Sequence, residues 1–308
     1  MARTERVHEV DEVTASALLG LWSRAADADG VDAVSEAFRL AVGPRREGVV
    51  HLLRYAGEDA APDPALVGYA QVAEAGTPDA VAELVVDPHD RRRGHGRALL
   101  DAVLEEGARN VWAHGMLPAA QALAASAGLR ATRTLYRMTR PLTPADAVDV
   151  ALPQGFSVRA FEPGRDDETW VRLNAAAFAH HREQGRLTVD DLHERMAQPW
   201  FDPSGFLLVV DDPTGEVVAF HWTKVEPGSG TGEEYVVGVA PAHQGRGLGG
   251  PLTSLGLAHL AGRGLAEVEL YVDGDNTAAR RTYQRLGFTD AAVDGQYTPG
   301  HDLTGLGT

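Results

Sequence analysis

Cysteine is absent from the 308 residues. That excludes a disulfide framework, a thiolate metal site and a cysteine nucleophile. Lysine is nearly absent: the 28 lysines and arginines include one lysine, Lys224. Where arginine is the default cation, a single compact ammonium marks a position worth following. No apolar run approaches ~18 residues, so no membrane span is expected. The start, MARTERVHEVDEV, is charged throughout and lacks an apolar core of signal-peptide type, which points to a cytoplasmic location. Positive charge is also short: the formal net charge is −16. A phosphate backbone needs a basic face, so nucleic acid is not expected as a main partner, nor is an anionic membrane surface. A local basic patch still suits a small anion. The balance of 44% hydrophobic and 23% charged residues over this length predicts a globular protein of one large or two ordinary domains.

What is present includes a repeat. LVVDPHDRRRGHGRALL (84 to 100) resembles VGVAPAHQGRGLGGPL (237 to 252), with Pro88 on Pro241, Arg93 on Arg246, Gly94 on Gly247, Gly96 on Gly249 and Leu99 on Leu252. A second match, ASAGL (125 to 129) on YQRLGF (283 to 288), sets Gly128 on Gly287. Two matches in one order, about half a chain apart, mean a tandem duplication. Residues 140 to 156, RPLTPADAVDVALPQGF, carry three prolines and no helical period and read as an extended linker. The expected division is therefore a domain at 1–140, a linker at 141–155 and a domain at 156–308.

Both halves read as α/β, with a hairpin-rich front and a strand–helix–strand–helix back. In the second half, residues 166 to 181 and 190 to 197 look helical. FLLVVDD and EVVAFHWTKV flank the turn DDPTG as a hairpin, and EYVVGV is a third strand. PLTSLGLAHLAGRG is a helix ending at glycine, EVELYV a strand, and NTAARRTYQRLGF a helix opened by Asn276. The first half repeats the order with GVVHLLRYA, ALVGYAQVA, AVAELVV, a helix over 97 to 108, the strand NVWAH and a helix over 118 to 127.

QGRGLGG (244 to 250) follows a strand and opens a helix. It lacks the Gly-Lys-Ser/Thr of a triphosphate loop. Gly245, Gly247 and Gly250 satisfy G-x-G-x-x-G, and Glu267 and Glu269 follow about 20 residues on, as a dinucleotide fold asks. Against that reading, APAHQ separates the strand from the first glycine, and the first-half loop has only Gly94 and Gly96, with Leu99 where a motif begun at Gly94 needs its third glycine. The pattern both halves share is Arg91 or Gln244, then Gly94 or Gly247, then Gly96 or Gly249. This suits a pyrophosphate cradle. Backbone N–H groups at a helix start point at the anion, glycines admit it closely, and arginines add charge-assisted bonds. A tight turn with solvated arginines is the plainer alternative.

VGVAPAHQGRGLGGPL followed by LYVDGDNTAARRTYQRLGF resembles the coenzyme A loop, strand, asparagine turn and tyrosine helix of GNAT-type N-acetyltransferases. The tandem layout, with HREQGRLT, HWTKV and EYVVGV, resembles the mycothiol synthase family in particular. The resemblance implies two tandem GNAT-like domains of mixed α/β sheet. The second would be catalytic and the first degenerate, with its coenzyme A cradle retained. It also implies acetyl-CoA as donor and the cysteinyl amine of cysteinyl-glucosaminyl-inositol as acceptor. No metal is expected, and a monomer is expected. Carried onto this chain, the donor contacts would be Val237, Gly238 and Val239, then Gln244, Gly245, Arg246, Gly247, Leu248, Gly249 and Gly250, and Asn276, Thr277, Ala278, Ala279, Arg280 and Arg281. In the first half they would be Leu84, Val85 and Val86, with Arg92, Arg93, Gly94, His95, Gly96 and Arg97.

A thioester is already activated, so no covalent nucleophile is required. The enzyme must take a proton from an ammonium, stabilise an oxyanion and protonate the leaving thiolate. Tyr283 lies seven residues after Asn276, two turns along one helix face. Its phenol suits the thiolate's proton donor; a core aromatic is the alternative. The repeat sets Ala124 at its place and Leu117 at that of Asn276. Glu233, at the start of its strand, shares a face with Tyr235, Val237 and Val239 if alternation is regular, and Glu234 faces the other way. Glu233 suits a general base; a solvated carboxylate is the alternative. Gly238 suggests a bulge or splay beside a ligand. The resemblance names Glu36, Glu183, Lys224, Tyr271 and Glu233 for the acceptor. His180, His181 and His221 lack a recognised metal spacing.

Overall fold

The computed structural model describes residues 2–57, 65–179 and 184–300. The chain divides into two compact units. Met1–Leu135 joins Ala292–Thr308 in the first, and Tyr136–Ala291 forms the second.

The first unit contains β1 (Arg3–Val7), α1 (Glu12–Asp29), α2 (Glu36–Leu40), β2 (Val50–Ala56), β3 (Ala65–Ala73), β4 (Val81–Val86), α3 (His95–Glu105), β5 (Asn110–Ala113), α4 (Pro118–Ser126) and the opening of β6 (Leu129–Pro141). Its strand order is β1-β2-β3-β4-β5, followed by β12 (Thr289–Pro299). That last strand comes from the far end of the chain: Gly295, Gln296 and Tyr297 pair antiparallel with Ala113, Trp112 and Val111. The core lies on both sheet faces. Leu99, Leu100 and Val103 of α3 pack on Ala70, Val72 and Ala82, while Leu18, Leu21 and Trp22 of α1 pack on Leu53 and Tyr69.

The second unit contains the later part of β6, then β7 (Phe156–Ala160), α5 (Asp167–Ala177), α6 (Val189–Met196), β8 (Phe206–Asp211), β9 (Glu216–Lys224), β10 (Thr231–Val239), α7 (Gly249–Gly262), β11 (Glu267–Asp273), α8 (Thr277–Arg285) and the first residues of β12. Its order is β6-β11-β10-β9-β8-β7. One face is an aromatic stack of Trp170, Trp200, Phe206, Phe220 and Trp222. On the other face α7 lies close to β9: His221 Nδ1 donates to the Leu252 carbonyl, 2.8 Å away, and a Cβ on Gly256 would overlap its ring.

The repeat is structural as well as sequential. The short 3-10 turn at Pro88–Asp90 recurs at Pro241–His243, and α4 at Pro118–Ser126 recurs as α8 at Thr277–Arg285. The unit limits are offset from those read in the sequence. The signal missed was the final strand, whose residues from Ala292 belong with the first unit. The proline-rich stretch is also more ordered than an extended linker. Pro144–Asp146 is a 3-10 turn closed by a Thr143–Asp146 capping box, Leu142 is buried, and Arg140 pairs with Asp146 at 2.6 Å. Proline at the first position of a helical turn is compatible with order because no N–H is needed there.

Candidate active site

β10 and β11 are parallel neighbours only at Thr231–Glu233 against Glu267–Glu269. Beyond Glu233 the two strands separate. The remaining edge of β10, to Val239, turns backbone donors and acceptors toward the opening. Such groups need partners, and an extended ligand bearing amides supplies them. At the open end stands the glycine loop. Gly245 and Gly247 hold φ of 76° and 80°, and a Cβ on Gly245, Gly247, Gly249 or Gly250 would meet nothing within 4 Å. Among the described residues no side chain caps α7, whose N-cap position is Leu248. Its first N–H groups and the positive end of its dipole therefore face open space, which suits a pyrophosphate. Arg246 rests over the Phe156 ring at 4.7 Å and 3.5 Å from Asp211, while Gln244 donates to the Val239 carbonyl at 3.3 Å. Leu248 is buried with Leu252 beneath Val237 and Val239. The donor set, an uncapped helix start with bare backbone and a nearby guanidinium, fits acetyl-CoA as a substrate.

The strand is not regular where it matters. Its register against β9 slips between Glu234 and Val236. Glu233 stays opposite Lys224, and Tyr235 stays on that face: its ring lies 5.3 Å from Trp222 and 5.5 Å from the Lys224 ammonium. Val237 and Val239, however, pack with Leu248 and Leu252 on the other side. Simple alternation, which grouped Glu233 with both valines, is therefore corrected by a bulge. The bulge is also not at Gly238. That glycine is required because a Cβ there would stand 2.6 Å from the Phe220 ring.

Glu234 faces away from Glu233, as alternation requires. It is buried, and neither carboxyl oxygen has a hydrogen-bond partner among the described residues. Burial drives its pKa well above the usual carboxylate range, with Arg140 opposing weakly. Tyr283, on α8, packs edge-on against Phe288 at 5.8 Å. Its phenol is pushed up, first by burial and then by the negative charge of Glu234. Glu234 thus stands close enough to act electrostatically on the proposed acid, which the sequence did not reveal. Its folded pKa lies above the unfolded value of about 4.3. The folded state is therefore penalised increasingly as pH rises from the unfolded pKa toward the folded one. Glu234→Val is expected to stabilise the protein by about 1–3 kcal/mol near neutrality, the scale of relieving an unsatisfied buried polar group. The gain should widen from pH 4 upward in thermal melts; a variant less stable than the parent across that range would contradict it.

Asn276 accepts from the Ala279 N–H at 3.1 Å and so caps α8, placing Thr277, Ala278 and Ala279 in its first turn. Arg280 is engaged with Asp290 at 2.9 Å and lies 3.7 Å over the Tyr136 ring, whereas Arg281 is exposed. Lys224, the single lysine, is buried. Its ammonium lies 3.0 Å from Glu226, 4.0 Å from Glu233 and 5.1 Å from the Trp200 ring centre. Glu233 and Lys224 are thus brought together on one face. Tyr271 is on β11 and 40% exposed. Glu36 opens α2 in the first unit. Glu183, like His180 and His181, lies outside the described residues. Among the described residues no group of three His, Asp or Glu is placed to hold a metal ion, and no helix is long and apolar enough to cross a membrane. Asp211 does more than make a turn: besides its reach to Arg246, its carboxylate lies 3.3 Å from His243.

The first-unit loop has the same backbone form with different neighbours. β4 and β5 pair over only Val81–Ala82 and Asn110–Val111, so Leu84, Val85 and Val86 pass beyond the paired segment. Arg92 and Gly94 hold φ of 63° and 86°, and among the described residues no side chain caps α3. Arg91 is clamped to Asp29 at 2.6 and 2.7 Å, Arg93 to Asp90 at 2.6 Å and Arg97 to Asp101 at 2.8 Å. His95 is buried and accepts from Arg54 at 3.3 Å. A Cβ on Gly96 would meet Leu123 at 3.4 Å, so the space over this helix start is narrower than over Gly249.

The acetyltransferase (GNAT) family model matches residues 170–288. A mycothiol acetyltransferase of Streptomyces griseus subsp. griseus is 50% identical over 292 residues, covering 94% of this chain and 92% of its own. That of Kytococcus sedentarius is 50% identical over 295 residues, covering 94% and 96%. Among solved structures, a tandem GNAT protein from the clavulanic acid biosynthesis pathway matches with TM-score 0.72 at 19% identity, over 97% of this chain and 98% of that one. A GCN5-related N-acetyltransferase from Sphaerobacter thermophilus matches with TM-score 0.66 at 23% identity, over 98% and 97%.

Proposed function

The chain belongs to the mycothiol acetyltransferase family, and from that premise we propose that it moves the acetyl group of acetyl-CoA onto the cysteinyl amine of cysteinyl-glucosaminyl-inositol, giving mycothiol. It is an acetyl-CoA-dependent acetyltransferase of the GNAT class. The observation that carries the reading is the opening between β10 and β11, with the uncapped start of α7 at one end and Tyr283 and Glu233 on the elements that border it.

The pyrophosphate is held by the N–H groups of residues 245–250, where the glycines leave the backbone bare. The pantetheine amides pair with the edge of β10 at Val237, Gly238 and Val239, and the N–H groups freed there polarise the thioester carbonyl as charge develops on its oxygen. Glu233 takes the proton of the acceptor ammonium, directly or through water. The amine attacks the carbonyl carbon, the C–S bond breaks, and Tyr283 donates its proton to the departing thiolate; the nitrogen, now that of an amide, sheds its second proton, and the tyrosinate is reprotonated, so that one proton in all is released to solvent through Glu233. Lys224, beside Glu233, and Tyr271 bind acceptor hydroxyls; Glu36 and Glu183 are further acceptor contacts. The chain acts as a cytoplasmic monomer, which light scattering on the purified protein tests for assembly.

The first-unit loop is a second, weaker acetyl-CoA site that takes no part in the chemistry. Calorimetric titration should resolve two classes of site per chain, the tighter one abolished by bulky replacement at Gly247. A single class that survives this replacement would place the donor elsewhere.

A further inference from the structure

A buried polar row crosses the first unit. His51, Gln71 and Glu83 are direct register partners on β2, β3 and β4. All three are at most 2% exposed. Tyr69 donates to Gln71 Oε1 at 2.7 Å, and its oxygen lies 2.7 Å from His51 Nδ1. The row continues past Glu83 to His114, whose Nε2 is 3.4 Å from Glu83 and whose Nδ1 is 3.1 Å from Asp294. Burial alone would lower the His114 pKa, but the two carboxylates outweigh it and raise it to about 10. The imidazole is thus held between two carboxyl groups.

The fold does not require this row, because the same chain builds the position twice. β4 and β10 end at Val86 and Val239, which match in the repeat, so Glu83 corresponds to Val236. The register partner of Val236 is Trp222, and that of Trp222 is Phe206. The second unit thus fills the row with Phe206, Trp222 and Val236, the two rings stacked at 4.3 Å. Buried charge is costly to retain where an apolar packing serves, so the polar version answers another need.

The geometry shows where the row ends. Glu83 accepts a 2.7 Å hydrogen bond from the backbone N–H of Ser35, the residue that precedes Glu36 and starts α2. His114 and Gly115 together bind Asp294, the latter through its N–H at 2.7 Å. A side chain on Gly115 would crowd Val31, just upstream of Ser35. Val34 and Phe38 on either side are buried. We infer that Glu83, held by His114 and Asp294, is a positioning residue for acceptor recognition: it fixes Ser35, and through it the start of α2 that carries Glu36. This rests on the proposed contact between Glu36 and the acceptor.

The test is steady-state kinetics on the full chain with cysteinyl-glucosaminyl-inositol and acetyl-CoA. Glu83→Gln should raise the acceptor KM about 10-fold, the scale of a misplaced contact, and leave kcat and the acetyl-CoA KM within about twofold. Combined with Glu36→Ala it should add nothing further, because both changes remove one contact. Ser35→Pro provides a second route. Ser35 has φ −67°, which proline adopts, so the change removes the N–H that Glu83 accepts without straining φ; the hydroxyl, which makes no cap hydrogen bond, goes with it, and the ring Cδ displaces the Glu83 carboxylate from the start of α2. It should reproduce the same KM effect even if Glu83→Gln does not fold. A purely structural row would lower the melting temperature and leave the acceptor KM untouched, and that outcome overturns the inference, as does a KM effect that multiplies with that of Glu36→Ala. If Glu36→Ala itself leaves the acceptor KM unchanged, the proposed Glu36 contact fails and the inference with it. A Glu36 effect without a Glu83 effect removes the inference alone.

Discussion

Tyr283→Phe is expected to lower kcat by about 10²–10⁴-fold, the range for losing a positioned proton donor, while acetyl-CoA affinity stays within about threefold. Phenylalanine preserves the ring that packs on Phe288 and deletes only the hydroxyl. The CoA thiolate then leaves without its proton. Burial and Glu234 both keep the phenol above its usual range. The tyrosine therefore stays protonated through neutral pH, and the parent's kcat should show no loss from Tyr283 ionisation up to about pH 10, its unperturbed value. Rapid-mix and steady-state assays at saturating donor separate the two readings. Unchanged turnover with a lower melting temperature would make Tyr283 a core aromatic.

Glu233→Gln should be similarly severe, about 10²–10⁴-fold in kcat/KM for the acceptor at neutral pH, with a distinctive pH profile. An α-amine titrates near 7.7–8.0. Below that range the free amine grows about tenfold per pH unit, so a variant without a base should recover steadily with alkaline pH as solvent takes over deprotonation. The opposing Lys224, 4.0 Å away, makes a second arm useful: Lys224→Met should raise the acceptor KM more than it lowers kcat. Parent-like kcat/KM at pH 6.5 in Glu233→Gln would assign the base role elsewhere.

Much of the architecture was legible because the duplication states it twice. The loop glycines, the helix after each loop and the asparagine that opens α8 leave local signals, and Asn276 is found as the cap. What was not legible depends on register and on long-range return of the chain. Alternation cannot foresee the slip between Glu234 and Val236, which moves Val237 and Val239 to the face opposite Glu233. Gly238 suggested a bulge or splay: β10 has parted from β11 there, but the bulge lies earlier, and a glycine is required by a ring on the neighbouring strand, Phe220. No short-range pattern shows that residues near Gln296 pair with β5 far upstream. Glu234 stood in plain view beside Glu233, but only packing reveals a carboxyl without partners among the described residues near Tyr283, the proposed acid. The polar row of the first unit is scattered over His51, Tyr69, Gln71, Glu83, His114 and Asp294 and exists only once the strands are in register.

The central claim is acetyl transfer to one particular amine, and mass spectrometry of the acceptor tests it most directly. Purified protein would be incubated with acetyl-CoA and cysteinyl-glucosaminyl-inositol, with aminoglycosides and peptide amines in parallel. Because this acceptor carries a thiol of its own, product mass is read in place of released thiol. The predicted result is one added acetyl on the cysteinyl amine, at a rate far above any other amine and lost in Tyr283→Phe. Acetylation of another amine in preference would contradict the acceptor assignment. No product on any amine, with acetyl-CoA still bound, would contradict the catalytic account altogether and leave an acyl-CoA-binding protein.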